Sequence, residues 1–146
     1  MEFVDSLAVW RRVAGARETP PLPEQLREMI SDERTAAAAY ASLTRFCTAA
    51  DAFRDISREE RCHARRLAAL YFLLTGQTPC AERGALPRET SYCAALRACF
   101  AAEQESARRY LAAAEAWPEH APLFRALAAQ EQAHTQRLLR LAQRVL

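Results

Sequence analysis

The sequence predicts an all-α protein, a four-helix bundle with one long crossover between its second and third helices. Three observations carry that expectation. The 146 residues include only three Gly but abundant Ala and Leu, the residues that favour a helix most. Four long segments repeat apolar residues at spacings of three and four, which is the period of an amphipathic helix. Two of the connections between these segments are short turns and one is long; short links imply antiparallel neighbours, and a single long link implies a crossover.

The totals bound the function. A chain of this length fits one domain with a sizeable core, and 51% hydrophobic with 26% charged residues is the balance of a globular protein. The net charge is only +2, and the basic residues, all Arg, are spread along the chain. Neither nucleic acid nor a membrane surface is therefore expected as a partner. No apolar run approaches the ~18 residues of a membrane span, and the N-terminal MEFVDSLAVW lacks the basic start of a secretory leader, so a cytoplasmic protein is expected. Five cysteines (Cys47, Cys62, Cys80, Cys93 and Cys99) are odd in number and form no C-x-x-C pair, which argues for reduced thiols acting as small apolar filler.

Residues 1–23 read as a leader and linker: a short helix over 6–14, capped by Asp5 or Ser6, then Gly15 and the Pro-rich TPPLP at 19–23, with Trp10 placed to pack on the body. The bundle spans 24–146. Its first helix runs from Glu24 to about Ala49, and the second is capped by Asp51 and stops at Gly76. The stretch QTPCAERGALPRE at 77–89 is the crossover. A third helix runs from about Ser91 to near Trp117, Pro118 and Pro122 mark a turn, and a fourth runs from about Leu123 to the end. Each would be roughly 36–40 Å long, well matched for packing side by side.

The second helix raises a question of cost. Its apolar stripe through Leu67, Leu70 and Leu74 should face the core, and the same stripe followed backwards meets His63 and Glu60. The fourth helix repeats the pattern: Phe53, Ile56, Glu60, His63, Leu67 and Leu70 correspond at identical spacings to Phe124, Leu127, Glu131, His134, Leu138 and Leu141. The first and third helices match as well, with Glu33 followed seven residues later by Tyr40, and Glu103 followed by Tyr110. The chain thus reads as two copies of a helix pair, offset by 70 to 71 residues, each sending one Glu and one Glu-x-x-His inward. Positions i and i+3 share a helical face, so each Glu-x-x-His can converge on one point.

Burying an unpaired carboxylate costs several kcal/mol, and four together repel one another. Two divalent cations would balance four carboxylates, with two neutral imidazoles completing the donor set. Oxygen and imidazole nitrogen in this proportion suit iron, with manganese the alternative. Glu60 and Glu131 would bridge the metals, Glu33 and Glu103 would be terminal carboxylates, and His63 and His134 terminal imidazoles. Tyr40 and Tyr110, two turns beyond the terminal glutamates, are placed to donate phenol hydrogen bonds into the site and are the candidate catalytic residues. Glu59 and Glu105 fall off the stripe and are expected in solvent, His120 at a helix start, and Arg61 and Cys62 pointing away from the site.

With these residues in view, the segments SDERTAAAAY, REERCHARRL, AAEQESARRY and AQEQAHTQRL resemble the four ligand-bearing helices of the rubrerythrin branch of the ferritin-like superfamily, over residues 24 to 144. The resemblance implies a non-haem di-iron centre reacting with hydrogen peroxide or dioxygen in defence against oxidative stress. Two departures modify it. The family's further glutamate, three residues after the one matching Glu103, is Ser106 here, and with it goes a ligand linked to iron movement during fast peroxide turnover. The family's rubredoxin-like domain with paired C-x-x-C motifs has no counterpart in these residues, so a separate electron donor, such as a rubredoxin-like protein, is expected. A binding class of function competes with this one: a bundle that stores or senses iron without turnover, or one that keeps a vestigial site. A homodimer, using apolar contacts at Trp10, Phe46 and Phe72, completes the expectations.

Overall fold

A computed structural model describes residues 19–86, 88 and 91–146. The short helix expected over 6–14, and Trp10 with it, lies outside the described residues. Four helices pack side by side, α1 (Leu22–Leu43), α2 (Ala50–Thr75), α3 (Tyr92–Ala116) and α4 (Ala121–Gln143), with 3-10 turns at Cys47–Ala49 and Pro118–His120 and no strand among the described residues. This is the expected four-helix bundle.

The helix ends follow local chemistry, and two depart from expectation. Pro23 in the first turn of α1 sits where a missing N–H costs nothing, so the helix begins at Leu22. It also ends six residues before Ala49. Ser42 and Thr44 hydroxyls turn back onto the carbonyls of Ala39 and Ala41, both at 2.7 Å, and the chain reverses through Phe46 without a Gly or Pro. Asp51 is not the cap of α2: that position is Ala49, with no side-chain hydrogen bond, and Asp51 lies within the first turn. Gly76 does terminate α2, at φ +71°, a left-handed conformation that favours glycine. Ser91 caps α3, its Oγ accepting from the Ala94 amide.

Helices α1 and α2 form one antiparallel hairpin and α3 with α4 the other. In the first, buried Ser57 donates to the Ala37 carbonyl at 2.7 Å. Across the bundle α1 runs against α3, joined by an Asp32–Arg109 ion pair, and α2 against α4, joined by Glu59 with Arg137 and by Arg66 with Gln130. The link from α2 to α3 must therefore travel the length of the bundle. It lies along α1, where Ser31 and Arg34 donate to the carbonyls of Glu82 and Ala81, and Thr35 Oγ1 accepts from the Gly84 amide at 2.7 Å. A Cβ on Gly84 would stand 3.3 Å from that hydroxyl, so glycine permits the close approach.

The core is divided in two. One apolar cluster gathers Leu26, Ile30, Leu67, Tyr71, Tyr110, Phe124 and Leu127. The other gathers Tyr40, Phe53, Ile56, Leu96, Leu138 and Leu141. Burying each such large side chain contributes ~1.5–3 kcal/mol. Between them lies a polar layer. The stripe on α2 continues through Tyr71 and half-buried Leu70, whereas Leu74, in the last turn of the helix, is 45% exposed. Phe46 packs its ring against Tyr92 at 5.6 Å within the chain, and Phe72 is exposed.

Candidate metal centre

All six residues singled out by spacing lie in that polar layer, none more than 4% exposed: Glu33 on α1, Glu60 and His63 on α2, Glu103 on α3, Glu131 and His134 on α4. They form two overlapping groups. Glu33, Glu60, His63 and Glu131 offer donor atoms within 4.8 Å of one another, and so do Glu60, Glu103, Glu131 and His134. Glu60 and Glu131 belong to both.

Each imidazole turns Nδ1 toward the carboxylates. His63 Nδ1 lies 2.8 Å from Glu131 Oε1, 3.1 Å from Glu60 Oε2 and 3.5 Å from Glu33 Oε2. His134 Nδ1 lies 2.9 Å from Glu60 Oε1, 3.3 Å from Glu103 Oε2 and 3.7 Å from Glu131 Oε2. The two rings face each other at 5.6 Å with an interplanar angle of 21°. Thus one oxygen of each shared carboxylate approaches one histidine and the second oxygen the other.

The tyrosines cross over. Tyr40, on the same helix as Glu33, donates to Glu103 Oε1, and Tyr110, on the same helix as Glu103, donates to Glu33 Oε1. Each phenol fixes the outer oxygen of a terminal carboxylate and leaves the inner one free for the centre. A cavity of about 110 Å³ reaches the carboxylates between α1 and α3, walled by Ala36, Ala39, Ala98, Ala102, Cys99 and Ser106.

Electrostatics sort the carboxylates into two kinds. Burial and the neighbouring Glu60 hold the Glu33 carboxyl well above its usual range, and burial raises Glu103 to about 8. Glu60 and Glu131 move the other way: burial opposes their ionisation, but the polar groups of Glu33 and both histidines close to Glu60, and of both histidines close to Glu131, hold them low. Burial likewise opposes protonation of His63, yet the oxygens of Glu131, Glu33 and Glu60 push it up to about 12, and His134 is raised for the same reason by Glu103, Glu131 and Glu60. Burial and the adjacent carboxylates keep Tyr40 and Tyr110 as neutral phenols.

The donor set fits two divalent cations. Glu33 Oε2, Glu60 Oε1 and Glu131 Oε1 are buried and face the interior of the cluster, where an imidazole Nδ1 approaches each at 3.5, 2.9 and 2.8 Å but none receives an aligned hydrogen bond from the described residues. Buried oxygens short of aligned donors are costly, and a cation among them would satisfy all three at once. Carboxylate oxygen with imidazole nitrogen is the donor chemistry of iron or manganese.

One residue in contact with the cluster escapes the sequence reading. Glu59 is not a solvent-facing side chain: at 38% exposure it reaches α4, where Oε2 stands 2.6 Å from His134 Nε2 and both oxygens accept from Arg137 Nη2 at 2.9 and 3.0 Å. Burial works against its charge, but Arg137 and His134 hold its carboxyl below the usual range. The signal lay in its neighbour helix: His134 and Arg137, at i and i+3 on α4, together present a proton and a cation to one carboxylate. Glu105 is exposed and pairs with Arg108, His120 closes the turn before α4, and Arg61 and Cys62 face outward, all as expected.

No protein-family model matches the chain, and no curated protein matches it. Among solved structures it is similar to the bacterioferritin of Rhodobacter capsulatus, described as having a metal-free dinuclear site and a haem iron: 23% identity over 80% of each chain, with a TM-score of 0.72. At that identity the likeness establishes the ferritin-like fold. No helix among the described residues is long and apolar enough to cross a membrane.

Proposed function

We propose that the buried cluster holds two iron ions, with manganese the alternative, and that the protein oxidises ferrous iron with dioxygen or hydrogen peroxide. The observation that carries this reading is the shared position of Glu60 and Glu131, each presenting one oxygen to either donor group. In the loaded protein Glu33 and His63 would complete one position, Glu103 and His134 the other. Iron supplies electrons and Lewis acidity for reducing a small oxidant.

The chain's own residues provide the rest. Tyr110 and Tyr40 hold the terminal carboxylates in place and are near enough to give a proton to a neighbouring oxygen. The small side chains between α1 and α3 leave an approach fit for a diatomic molecule or peroxide, and the two apolar clusters on either side exclude water. Ser106 on the cavity wall brings no further carboxylate, which favours ferrous oxidation over rapid rubrerythrin-like peroxide turnover. Electrons for any repeated cycle come from a separate donor, such as a rubredoxin-like protein. The bundle proper, residues 24–146, is the functional unit in this reading.

Anaerobic titration with ferrous iron tests it. The intact protein should bind two ions per chain and oxidise them on admitting oxygen. Glu60→Ala and Glu131→Ala each remove a carboxylate common to both positions and should abolish paired loading. Two ions retained in both variants would overturn the assignment.

A further inference from the structure

The internal repeat is nearly exact where the donors converge, and it breaks just behind them. Glu59 and Arg66 on α2 correspond to Gln130 and Arg137 on α4 at the same 71-residue offset that relates Glu60 to Glu131 and His63 to His134. The arginines are the same in both halves. The residue that each arginine grips is different.

On one side Arg137 clamps the Glu59 carboxylate at 2.9 and 3.0 Å, and that carboxylate faces His134 Nε2 at 2.6 Å. In the loaded protein the Nε2 proton would be donated to Glu59, leaving the Nδ1 lone pair for the centre. On the other side Arg66 reaches Gln130 Oε1 at 3.4 Å, Gln130 is exposed, and buried His63 Nε2 has no hydrogen-bond partner among the described residues. Among the described residues, none orients that imidazole through its outer nitrogen. An amide oxygen is also a weaker acceptor than a carboxylate, so even a relaxed Gln130 would lend less basicity to the ring. Carboxylates in this outer position fix the tautomer and ring orientation of a ligating histidine and raise its donor strength, and their loss typically lowers metal affinity ~10–100-fold.

We propose that the two metal positions are built unequal: the one served by His134, aligned by Glu59 and Arg137, takes its ion first and tightly, and the one served by His63 fills second and weakly. Glu59 is thus a positioning residue acting through His134. The proposal rests on the dinuclear reading above and adds an order to it. Unequal positions suit a centre that keeps one ion while the other exchanges with solution.

Equilibrium titration of the intact chain with Co(II), followed by its visible absorption, reads each step separately. Two steps are expected, separated by ~10–100-fold in affinity. E59Q, which copies the amide of the other half, should weaken the first step until the two nearly coincide. Q130E should strengthen the second step by a similar factor, and because it adds the interaction it keeps the test decisive if E59Q folds poorly. The paramagnetically shifted imidazole N–H signals of the Co(II) protein supply a readout that a merely structural role would not move: one slowly exchanging N–H in the intact chain, fast exchange in E59Q, and two slow signals in Q130E. Two equal steps in the intact chain, or E59Q with an unchanged first step, would overturn the inequality and leave the dinuclear reading standing. Failure to bind any Co(II), ferrous iron or Mn(II) would remove both.

Discussion

Tyr110 on α3 crosses to α1 and donates its phenol hydrogen to Glu33, while Tyr40 on α1 makes the reverse gift to Glu103 on α3. The two bonds tie helices that are not consecutive in the chain, at the level where like charges would otherwise drive them apart. Both carboxyls are pushed above their ordinary range by burial, and a neutral phenol can serve either protonation state of its partner.

Removing one phenol oxygen leaves a buried carboxyl oxygen without its donor, at a cost of ~1–3 kcal/mol. Tyr110→Phe and Tyr40→Phe are therefore each expected to lower the urea midpoint of the metal-free protein with an unchanged slope. The same changes free a terminal carboxylate to rotate, so metal affinity should fall ~10–100-fold. Unaltered stability and affinity in both variants would show that the phenols are ordinary core aromatics.

Stability of the metal-free protein should fall as pH rises from about 5 to about 8. The unfolded chain releases carboxyl protons near 4.5 and imidazole protons near 6.5, whereas the folded cluster keeps the Glu103 proton to about 8 and the His63 proton to about 12. Groups raised on folding stabilise fully below their unfolded pKa and lose that contribution as pH climbs toward the folded one. Glu33 and His134 shift in the same direction. Glu59, Glu60 and Glu131, held low, stabilise above the ordinary carboxylate range and are constant across this window. Metal loading reverses the trend, because the ligands must give up those protons and affinity rises with pH. Calorimetry with and without Mn(II) should show the metal-free Tm falling and the gap between loaded and metal-free Tm widening. A metal-free Tm that climbs through this window would contradict the cluster's protonation.

Much of this site could be read from the sequence because its chemistry is tied to helical period. Glu60 and His63 share a face by geometry alone, and the repeat at Glu131 and His134 made coincidence an inadequate account. What escaped depended on neighbours distant in sequence. Glu59 was judged by its angle from the stripe of its own helix, and that angle says nothing of how closely α4 passes on that side. The end of α1 was hidden because residues 44–49 reverse direction without Gly or Pro, through hydroxyls that also occur within helices. Asp51 has the composition of a cap, but the preceding 3-10 turn at Cys47–Ala49 already closes the approach to α2. Leu74 follows the apolar period and is exposed, because period fixes which face a residue joins and leaves open whether a neighbour covers that face at the helix end.

The two apolar clusters should be separable by function as well as by position. Phe124 is fully buried and stacks on Tyr110 at 6.4 Å, on the Glu33 side; Phe53 is fully buried beside Tyr40 at 6.1 Å, on the Glu103 side. Truncating either ring to Ala should cost ~3–5 kcal/mol, a transfer loss plus a cavity that helices this long fill only in part. Against a typical total of about 5–15 kcal/mol, both variants should fold but unfold at distinctly lower urea. Their effects on metal should differ, because each cavity loosens a different phenol. Phe124→Ala frees Tyr110 and so Glu33, which belongs with His63, and should weaken chiefly the second Co(II) step. Phe53→Ala frees Tyr40 and so Glu103, which belongs with His134, and should weaken chiefly the first. If both variants weakened both steps alike at matched stability, the clusters would be a single cooperative support and the crosswise tyrosines would not transmit packing to particular ligands.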